Sequence, residues 1–303
     1  MSRIIITGGT GLIGQELSTD LAKDRHEVIV LSRSPNREHG LPQGVQAVGW
    51  DARTADGWGH LADGATAIIN LAGESLAAGR WTVERKRRIL ESRVNVGHAV
   101  VEAARAATQK PGVVIQASGV DYYGQRDDEI ITEETPRGDT FLADVCKQWE
   151  AASAEVETMG VRRVITRSSL VLSTEGGSLP RLSLPFRLFV GGPLGSGQQW
   201  WSWIHMADEV AAIRFLMENE AARGPFNLTS PNPLTNAQFS RILGKVLGRP
   251  AAMPVPAFAL RLLLGEMAEV VLGGQRAVPK RLQEMGYQFL FPDLEQALRE
   301  LLG

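Results

Sequence analysis

Residues 7–14 read Thr7-Gly8-Gly9-Thr10-Gly11-Leu12-Ile13-Gly14 and decide the fold. A β-branched apolar run at residues 3–7 precedes them, residues 12–23 carry apolar side chains at helical spacing, and a second apolar run follows at residues 26–31. This order predicts a strand, a helix and a parallel strand. Such a turn needs glycine at three kinds of position: where the backbone bends tightly, where it approaches a pyrophosphate, and where the helix packs closely on the strand. The spacing therefore predicts a dinucleotide-binding turn.

The rest of the chain alternates between strand-like and helical segments. Strand-like runs occur at 45–50, 67–71, 113–117 and 163–168, and helical stretches at 83–107 and 142–159. We therefore predict an α/β fold, a Rossmann-type doubly wound parallel sheet. From about residue 176, Gly- and Pro-rich segments and further helices predict a smaller, mostly helical C-terminal lobe. We assign the dinucleotide-binding domain to 1–225, with 170–205 contributing to the cleft, and a small substrate or partner lobe to 226–303.

Composition and charge narrow the possible partners and compartments. The 303 residues carry 32 Lys and Arg against 34 Asp and Glu, so no basic surface for nucleic acid is indicated. Cys146 is the one cysteine, which rules out an internal disulfide, and no spacing of His, Cys or carboxylates suggests a metal site. No apolar run approaches the ~20 residues that span a bilayer. We expect a cytoplasmic protein, monomer or homodimer, with no nucleic-acid or membrane partner.

The end of the second predicted strand indicates which dinucleotide is bound. NAD-preferring sites usually have Asp or Glu there to bind the ribose 2′-hydroxyl, whereas this chain has Ser32 and Arg33. Because a guanidinium pairs with a 2′-phosphate and a carboxylate repels it, we predict NADP(H). The alternative, a solvated loop arginine, stays open. The predicted cofactor-binding residues from these two segments are Gly8, Thr10, Gly11, Leu12, Ile13, Gly14, Ser32 and Arg33.

Three further motifs carry a resemblance to a known family. They are Asn70-Leu71-Ala72-Gly73, Ser118-Gly119-Val120-Asp121-Tyr122-Tyr123-Gly124, and Trp203-Ile204-His205-Met206-Ala207-Asp208. With the glycine turn, these motifs resemble the extended, atypical short-chain dehydrogenase/reductases, and more narrowly the epimerase-family proteins that have a small C-terminal domain of unknown function. The resemblance implies a Rossmann domain that holds NADP(H). It adds to the cofactor site Leu71, Ala72 and Gly73 after a central strand, together with Arg88, Arg93 and Leu172.

The same resemblance implies a catalytic serine, tyrosine and lysine. Ser118 follows an apolar strand, where the serine is expected. The Tyr-x-x-x-Lys pair of the wider superfamily is missing, because Leu142 and Cys146 stand at its positions. Tyr123 and Lys147 are the nearest candidates, although Lys147 is one position away and points about 100° from the expected direction on a helix. Packing beside the cofactor is the alternative for Tyr123.

Two classes of function remain open from the sequence. The first is an NADP(H)-binding, epimerase-like oxidoreductase that acts on an unidentified small carbonyl or sugar-like substrate. The second is a non-catalytic NADP(H)-binding sensor or regulatory protein, which the missing Tyr-x-x-x-Lys pair favours. Trp200, Trp201 and Trp203 predict either an aromatic wall of the substrate cleft or a seam between lobes. We expect His205 and Asp208 to fix the junction between the lobes.

Overall fold

The computed structural model describes residues 2–37 and 40–303. The strands in these residues are β1 (Arg3–Thr7), β2 (Glu27–Ser32), β3 (Val45–Gly49), β4 (Ala67–Asn70), β5 (Val113–Gly119), β6 (Ile130–Ile131), β7 (Arg162–Ser168), β8 (Leu170–Leu172), β9 (Trp200–Trp201), β10 (Trp203–His205), β11 (Gly224–Leu228), β12 (Leu234–Thr235) and β13 (Arg276–Ala277). The α-helices are α1 (Leu12–Lys23), α2 (Val83–Ala106), α3 (Phe141–Ala152), α4 (Leu179–Arg187), α5 (Met206–Glu218), α6 (Asn236–Leu247), α7 (Ala257–Leu264), α8 (Ala268–Leu272), α9 (Lys280–Glu284) and α10 (Leu294–Leu302).

Seven strands form one parallel sheet in the order β11-β7-β5-β4-β1-β2-β3. The order reverses at β1, so the crevice at the carboxyl ends of β1 and β4 is the place where a doubly wound sheet binds its ligand. The predicted Rossmann-type fold is confirmed. The glycine turn lies directly after β1, at that switch point.

Helices cover both faces of the sheet. Successive side chains of β1 point to opposite faces, so Ile4 and Ile6 pack with α1 and α5, whereas Ile5 packs with α2. All three isoleucines are fully buried. Burial on both faces explains why the strand is a continuous apolar run instead of an alternating one.

The C-terminal lobe is assembled from two separate stretches of chain. Its core joins Leu172, Leu179 and Trp203 from the first stretch to Phe239 and Leu298 from the second. The predicted domain boundary between residues 225 and 226 falls inside β11, which is an edge strand of the large sheet. The lobe also contains short strand pairs, β8 with β10 and β9 with β12, in addition to its helices.

His205 and Asp208 lie at the junction of the two lobes. His205 Nδ1 accepts a hydrogen bond from the Ala207 amide at the start of α5, and its Nε2 lies 2.9 Å from Glu300 Oε2. The fully buried Asp208 carboxylate accepts hydrogen bonds from the amides of Leu290 and Phe291. The pair therefore ties α5 to the chain that leads into α10. None of the helices in the described residues is both long enough and apolar enough to cross a membrane.

Candidate functional site

The glycine turn is too tight for side chains at its key positions. Gly8 has a φ of +70°, and a Cβ atom there would lie 2.9 Å from the backbone of Ala72. A Cβ on Gly14 would lie 2.4 Å from the Gly8 carbonyl oxygen. The Gly11 amide closes the turn by donating to that same oxygen at 2.9 Å. Gly8 is required because the chain after β4 packs on the turn, and Gly14 is required because α1 packs on it.

The start of α1 is open to a ligand. Gly11 is the N-cap residue and has no side chain to accept from the helix, so the amides of Leu12, Ile13 and Gly14 donate to no capping group. Free amides and the helix dipole together favour an anion. The loop after β8 lies beside this end of the helix, since a Cβ on Gly177 would lie 3.1 Å from Leu12 Cδ2. The turn and the first turn of α1 together fit a pyrophosphate.

Ser32 and Arg33 follow at the carboxyl end of β2, which is paired with β1. Ser32 is buried and its Oγ accepts a hydrogen bond from the Ser34 amide at 3.1 Å, so it shapes the loop. Arg33 is exposed and forms no ion pair within residues 2–37 and 40–303. Its guanidinium is therefore available to a charged ligand next to the glycine turn.

Leu71, Ala72 and Gly73 are brought to the turn by Thr7. The Thr7 carbonyl accepts a hydrogen bond from the Leu71 amide at 3.1 Å, and Thr7 Oγ1 accepts from the Ala72 amide at 3.2 Å. The Leu71 and Ala72 side chains are partly exposed. The structure thus brings the glycine turn and the end of β4 together.

Arg93 lies against Gly73, where a Cβ would be 2.9 Å from the Arg93 Cζ atom. Its Nη1 donates to the carbonyls of Glu74 and Ile89, and its guanidinium lies 4.9 Å from the Trp149 ring. Burial lowers the pKa of Arg93. These contacts support the loop after β4 and leave the guanidinium beside the expected cofactor cleft.

Two of the predicted cofactor-binding residues, Arg88 and Leu172, are less well placed to contact a cofactor. Arg88 is half-exposed, with its Nε 4.0 Å from Glu74 Oε2. Leu172 is fully buried in the core of the C-terminal lobe, so its side chain is not available to a ligand. Strand pairing explains this, because Leu172 ends β8 and lies opposite His205 of β10.

Ser118 and Tyr123 belong to a buried chain of polar side chains. Ser118 Oγ donates to Glu150 Oε1 at 2.7 Å, and Glu150 receives two hydrogen bonds of 2.9 Å from Arg167. Arg167 also donates to the Tyr123 hydroxyl, which donates to Asn227 Oδ1. Tyr123 is fully buried, and burial raises its pKa to about 12. Both hydroxyls are thus engaged within the protein, and the tyrosine proton is held tightly.

Lys147 lies on the solvent-exposed face of α3, away from Ser118 and Tyr123. Cys146 points inward instead, beside Ser118 and the Gly119 amide, and burial raises the pKa of its thiol to about 12. Leu142 lines the cleft one turn earlier. The structure therefore does not assemble a tyrosine and lysine pair from the predicted residues, because the helix turns Lys147 outward.

We expect Tyr123→Phe to act on stability and not on cofactor binding. The change leaves Asn227 Oδ1 without its buried donor, which should lower the free energy of unfolding by about 1–3 kcal/mol. NADPH affinity should stay at the wild-type value. Chemical denaturation and fluorescence titration measure the two quantities. A large loss of NADPH affinity would instead return Tyr123 to the cofactor site.

A cavity of about 310 Å³ lies between the two lobes. Its Rossmann side includes Asp121, Phe141 and Leu142, and its C-terminal side includes Glu266 and Glu269. The pocket aromatics are Trp81 and Phe141. No group of three or more His, Cys, Asp or Glu in the described ranges could hold a metal ion.

The tryptophan cluster singled out in the sequence does not line this cavity. Trp203 and Trp201 are buried in the core of the C-terminal lobe, and Trp200 Nε1 donates to Asp128. The structure therefore places Trp201 and Trp203 inside the lobe and not in a cleft wall. Sequence reasoning missed Asp121 as a site residue, although it lies within the quoted Ser118 to Gly124 motif.

The chain matches known proteins along its whole length. Residues 4–229 match the model of the NAD dependent epimerase/dehydratase family, and residues 255–301 match a domain of unknown function (DUF1731). The chain is 38% identical over 301 residues to the chloroplastic homolog of epimerase family protein SDR39U1 from Arabidopsis thaliana, covering 99% of this chain and 86% of the relative. An epimerase family protein of Staphylococcus aureus is 38% identical over 308 residues, covering 100% of both chains.

A solved structure of the human epimerase family protein SDR39U1 (isoform 2) with NADPH matches with a TM-score of 0.88 and 33% identity. The match covers 99% of this chain and 98% of the human one. Sequence profile, relatives and fold agree on one assignment. This chain belongs to the NAD dependent epimerase/dehydratase family.

Proposed function

We propose that the chain is an NADP(H)-dependent oxidoreductase that acts on a small carbonyl or sugar-like compound. The observation that carries the proposal is the glycine turn, open at the N-terminus of α1, in a chain that also has a cavity lined by residues of both lobes. Pockets of this kind between lobes are common sites for small ligands, and a volume of about 310 Å³ is at the small end of their range.

The residues present fit the cofactor. Gly8 and Gly14 leave the space that a Cβ would fill, the amides of Leu12 and Ile13 lie uncapped at the N-terminus of α1, and Arg33 supplies an exposed cation for a 2′-phosphate. The human relative carries NADPH in its structure, in agreement with the cofactor expected from Ser32 and Arg33. When bound, the nicotinamide gives or accepts a hydride.

Arg33→Ala tests the choice between the two dinucleotides. Loss of the guanidinium should weaken NADPH binding about tenfold, or about 1.4 kcal/mol, and should leave NADH binding unchanged. Arg241→Ala is the matched control, because it removes another exposed arginine, from α6 in the other lobe. Equal NADPH and NADH affinities in the wild-type protein would contradict the assignment.

A second candidate is a non-catalytic NADP(H)-binding sensor or regulatory protein. Leu142 and Cys146 at the positions of the missing pair, and the outward Lys147, favour it. The two candidates separate in one assay that follows NADPH absorbance with purified protein and a panel of aldehydes, ketones and nucleotide sugars. Oxidation of NADPH supports the enzyme. Tight NADPH binding without oxidation by any compound supports the sensor.

A further inference from the structure

We propose that Asp121 is the proton donor of the cleft and delivers its carboxyl proton to the carbonyl oxygen of the substrate. This inference rests on the proposed oxidoreductase function, because the proton is needed when a carbonyl is reduced to an alcohol. In the wider superfamily a tyrosine and a lysine transfer this proton. Both are missing here, and we assign the proton transfer to the Asp121 carboxyl group.

Asp121 is one of the residues that line the cavity. It belongs to the short 3₁₀ turn Val120–Tyr123 that directly follows β5, at the carboxyl end of the central sheet. One of its carboxyl oxygens, Oδ2, lies 3.3 Å from the Cβ position of Gly119. Leu142, at the position expected for the missing tyrosine, lines the same cavity. Asp121 therefore lines the same cavity as the residue at the position of the absent tyrosine.

The other acidic groups of the cavity are already paired. Glu266 is exposed at the rim and binds Lys86, and Glu269 binds Arg261 at 2.8 Å. Asp121 forms no ion pair with any of the described residues, and no described side chain donates a hydrogen bond to it. Among the acids lining the cavity, it is thus the one whose carboxyl group has no side-chain partner in the described part of the chain.

Nearby hydroxyl and thiol groups are poor proton donors. Ser118 and Tyr123 donate to Glu150 and Asn227, respectively. The Cys146 thiol is buried, and its pKa is raised to about 12. Since each of these protons is held within the protein, none competes with the Asp121 carboxyl.

Burial raises the pKa of Asp121 above its usual value, and a hydrogen bond from its own backbone amide and the positive charge of Arg93 offset only part of this effect. A carboxyl group with a raised pKa keeps its proton closer to neutral pH, as a general acid requires. Phe141 and Leu142 line the same cavity and contribute apolar surface to it.

The reaction balances without any further group. The carbonyl carbon gains a hydride from the reduced nicotinamide, which forms the new C–H bond. The π electrons of the carbonyl move to its oxygen, which takes the proton from Asp121 and becomes a hydroxyl. The products are the alcohol, the oxidised dinucleotide and the Asp121 carboxylate, which takes a proton from water before the next turnover.

The test compares Asp121→Asn with Asp144→Asn, which changes an exposed carboxylate on α3. For whichever aldehyde or ketone of the panel is reduced fastest, we expect Asp121→Asn to lower kcat by about 100-fold or more and to leave the NADPH Kd within about twofold. The control should retain wild-type values of both. Wild-type kcat should fall as pH rises through the pKa of Asp121, because the carboxyl then loses its proton.

A measurement on the cofactor-free protein adds a readout that does not depend on activity. Carbon-13 NMR of aspartate-labelled protein should reveal one carboxyl that titrates above the usual aspartate range and disappears in Asp121→Asn. A titration of Asp121 at its ordinary value overturns this inference, and so does an unchanged kcat in Asp121→Asn. If none of the compounds in the panel causes the wild-type protein to oxidise NADPH, the proposed function and this inference are both wrong.

Discussion

Gly14→Ala is expected to abolish measurable NADPH binding. The new Cβ would lie 2.4 Å from the Gly8 carbonyl oxygen and 2.5 Å from Gly9 Cα. Both contacts are with backbone, so the turn or the start of α1 must move. If two backbone amides lose their hydrogen bonds to the pyrophosphate, each worth about 1.5 kcal/mol with a charged acceptor, the NADPH Kd should rise by about 100-fold or more.

Fluorescence titration with NADPH measures the effect, and Gly59→Ala is the control. A Cβ on Gly59 would lie 3.1 Å from the Ala55 methyl group, in a 3₁₀ helix distant in sequence from the glycine turn. That variant should bind NADPH as the wild-type protein does. If Gly14→Ala binds NADPH with wild-type affinity, the turn tolerates a side chain and is not the site that binds the cofactor.

Arg167→Met is expected to produce the largest loss of stability. The side chains of Arg167 and Glu150 are 5% and 11% exposed, and their ion pair is bidentate. Removing the arginine leaves a buried carboxylate whose remaining side-chain donor, among the described residues, is Ser118. Breaking a buried pair in this way costs about 3–5 kcal/mol. In a chain of this size the thermal midpoint should fall by on the order of 10 °C.

The double variant Glu150→Leu with Arg167→Met separates a lost attraction from an uncompensated charge. It should recover part of the thermal midpoint, because neither member of the pair remains buried alone. Arg87→Met on the exposed face of α2 should leave the midpoint nearly unchanged. A midpoint for Arg167→Met equal to that of wild type would mean that the pair does not stabilise the fold.

The central fold could be predicted from the sequence because its signals are local. The turn from Gly8 to Gly14 and the apolar runs of β1 and β2 lie within about 30 residues, the span of one βαβ unit. The helix predicted at 83–107 is observed as Val83–Ala106. Each of these features depends on neighbouring residues, so spacing alone identifies them.

The interior of the site could not be predicted in the same way. The partner of Ser118 is 32 residues distant, and Tyr123 meets Asn227 across 104 residues. Tertiary packing decides which polar groups form hydrogen bonds inside the protein. A local sequence motif does not contain this information. Asp121 belongs to the Ser118 to Gly124 motif. The cavity that it lines is formed together with residues that are distant in sequence, among them Phe141, Leu142, Glu266 and Glu269.

The C-terminal lobe is built from two separate stretches of chain, so it cannot be removed as an independent domain. Cutting the chain before residue 255, where the second family match begins, would delete Leu294 and Leu298 and uncover the apolar surfaces of Leu179 and Trp203. The truncated protein would expose these apolar side chains to solvent, and it would lose the Glu300 carboxylate that lies 2.9 Å from His205 Nε2. A homologue without this tail would therefore need different residues at 170–205 as well, so the two regions must change together in evolution.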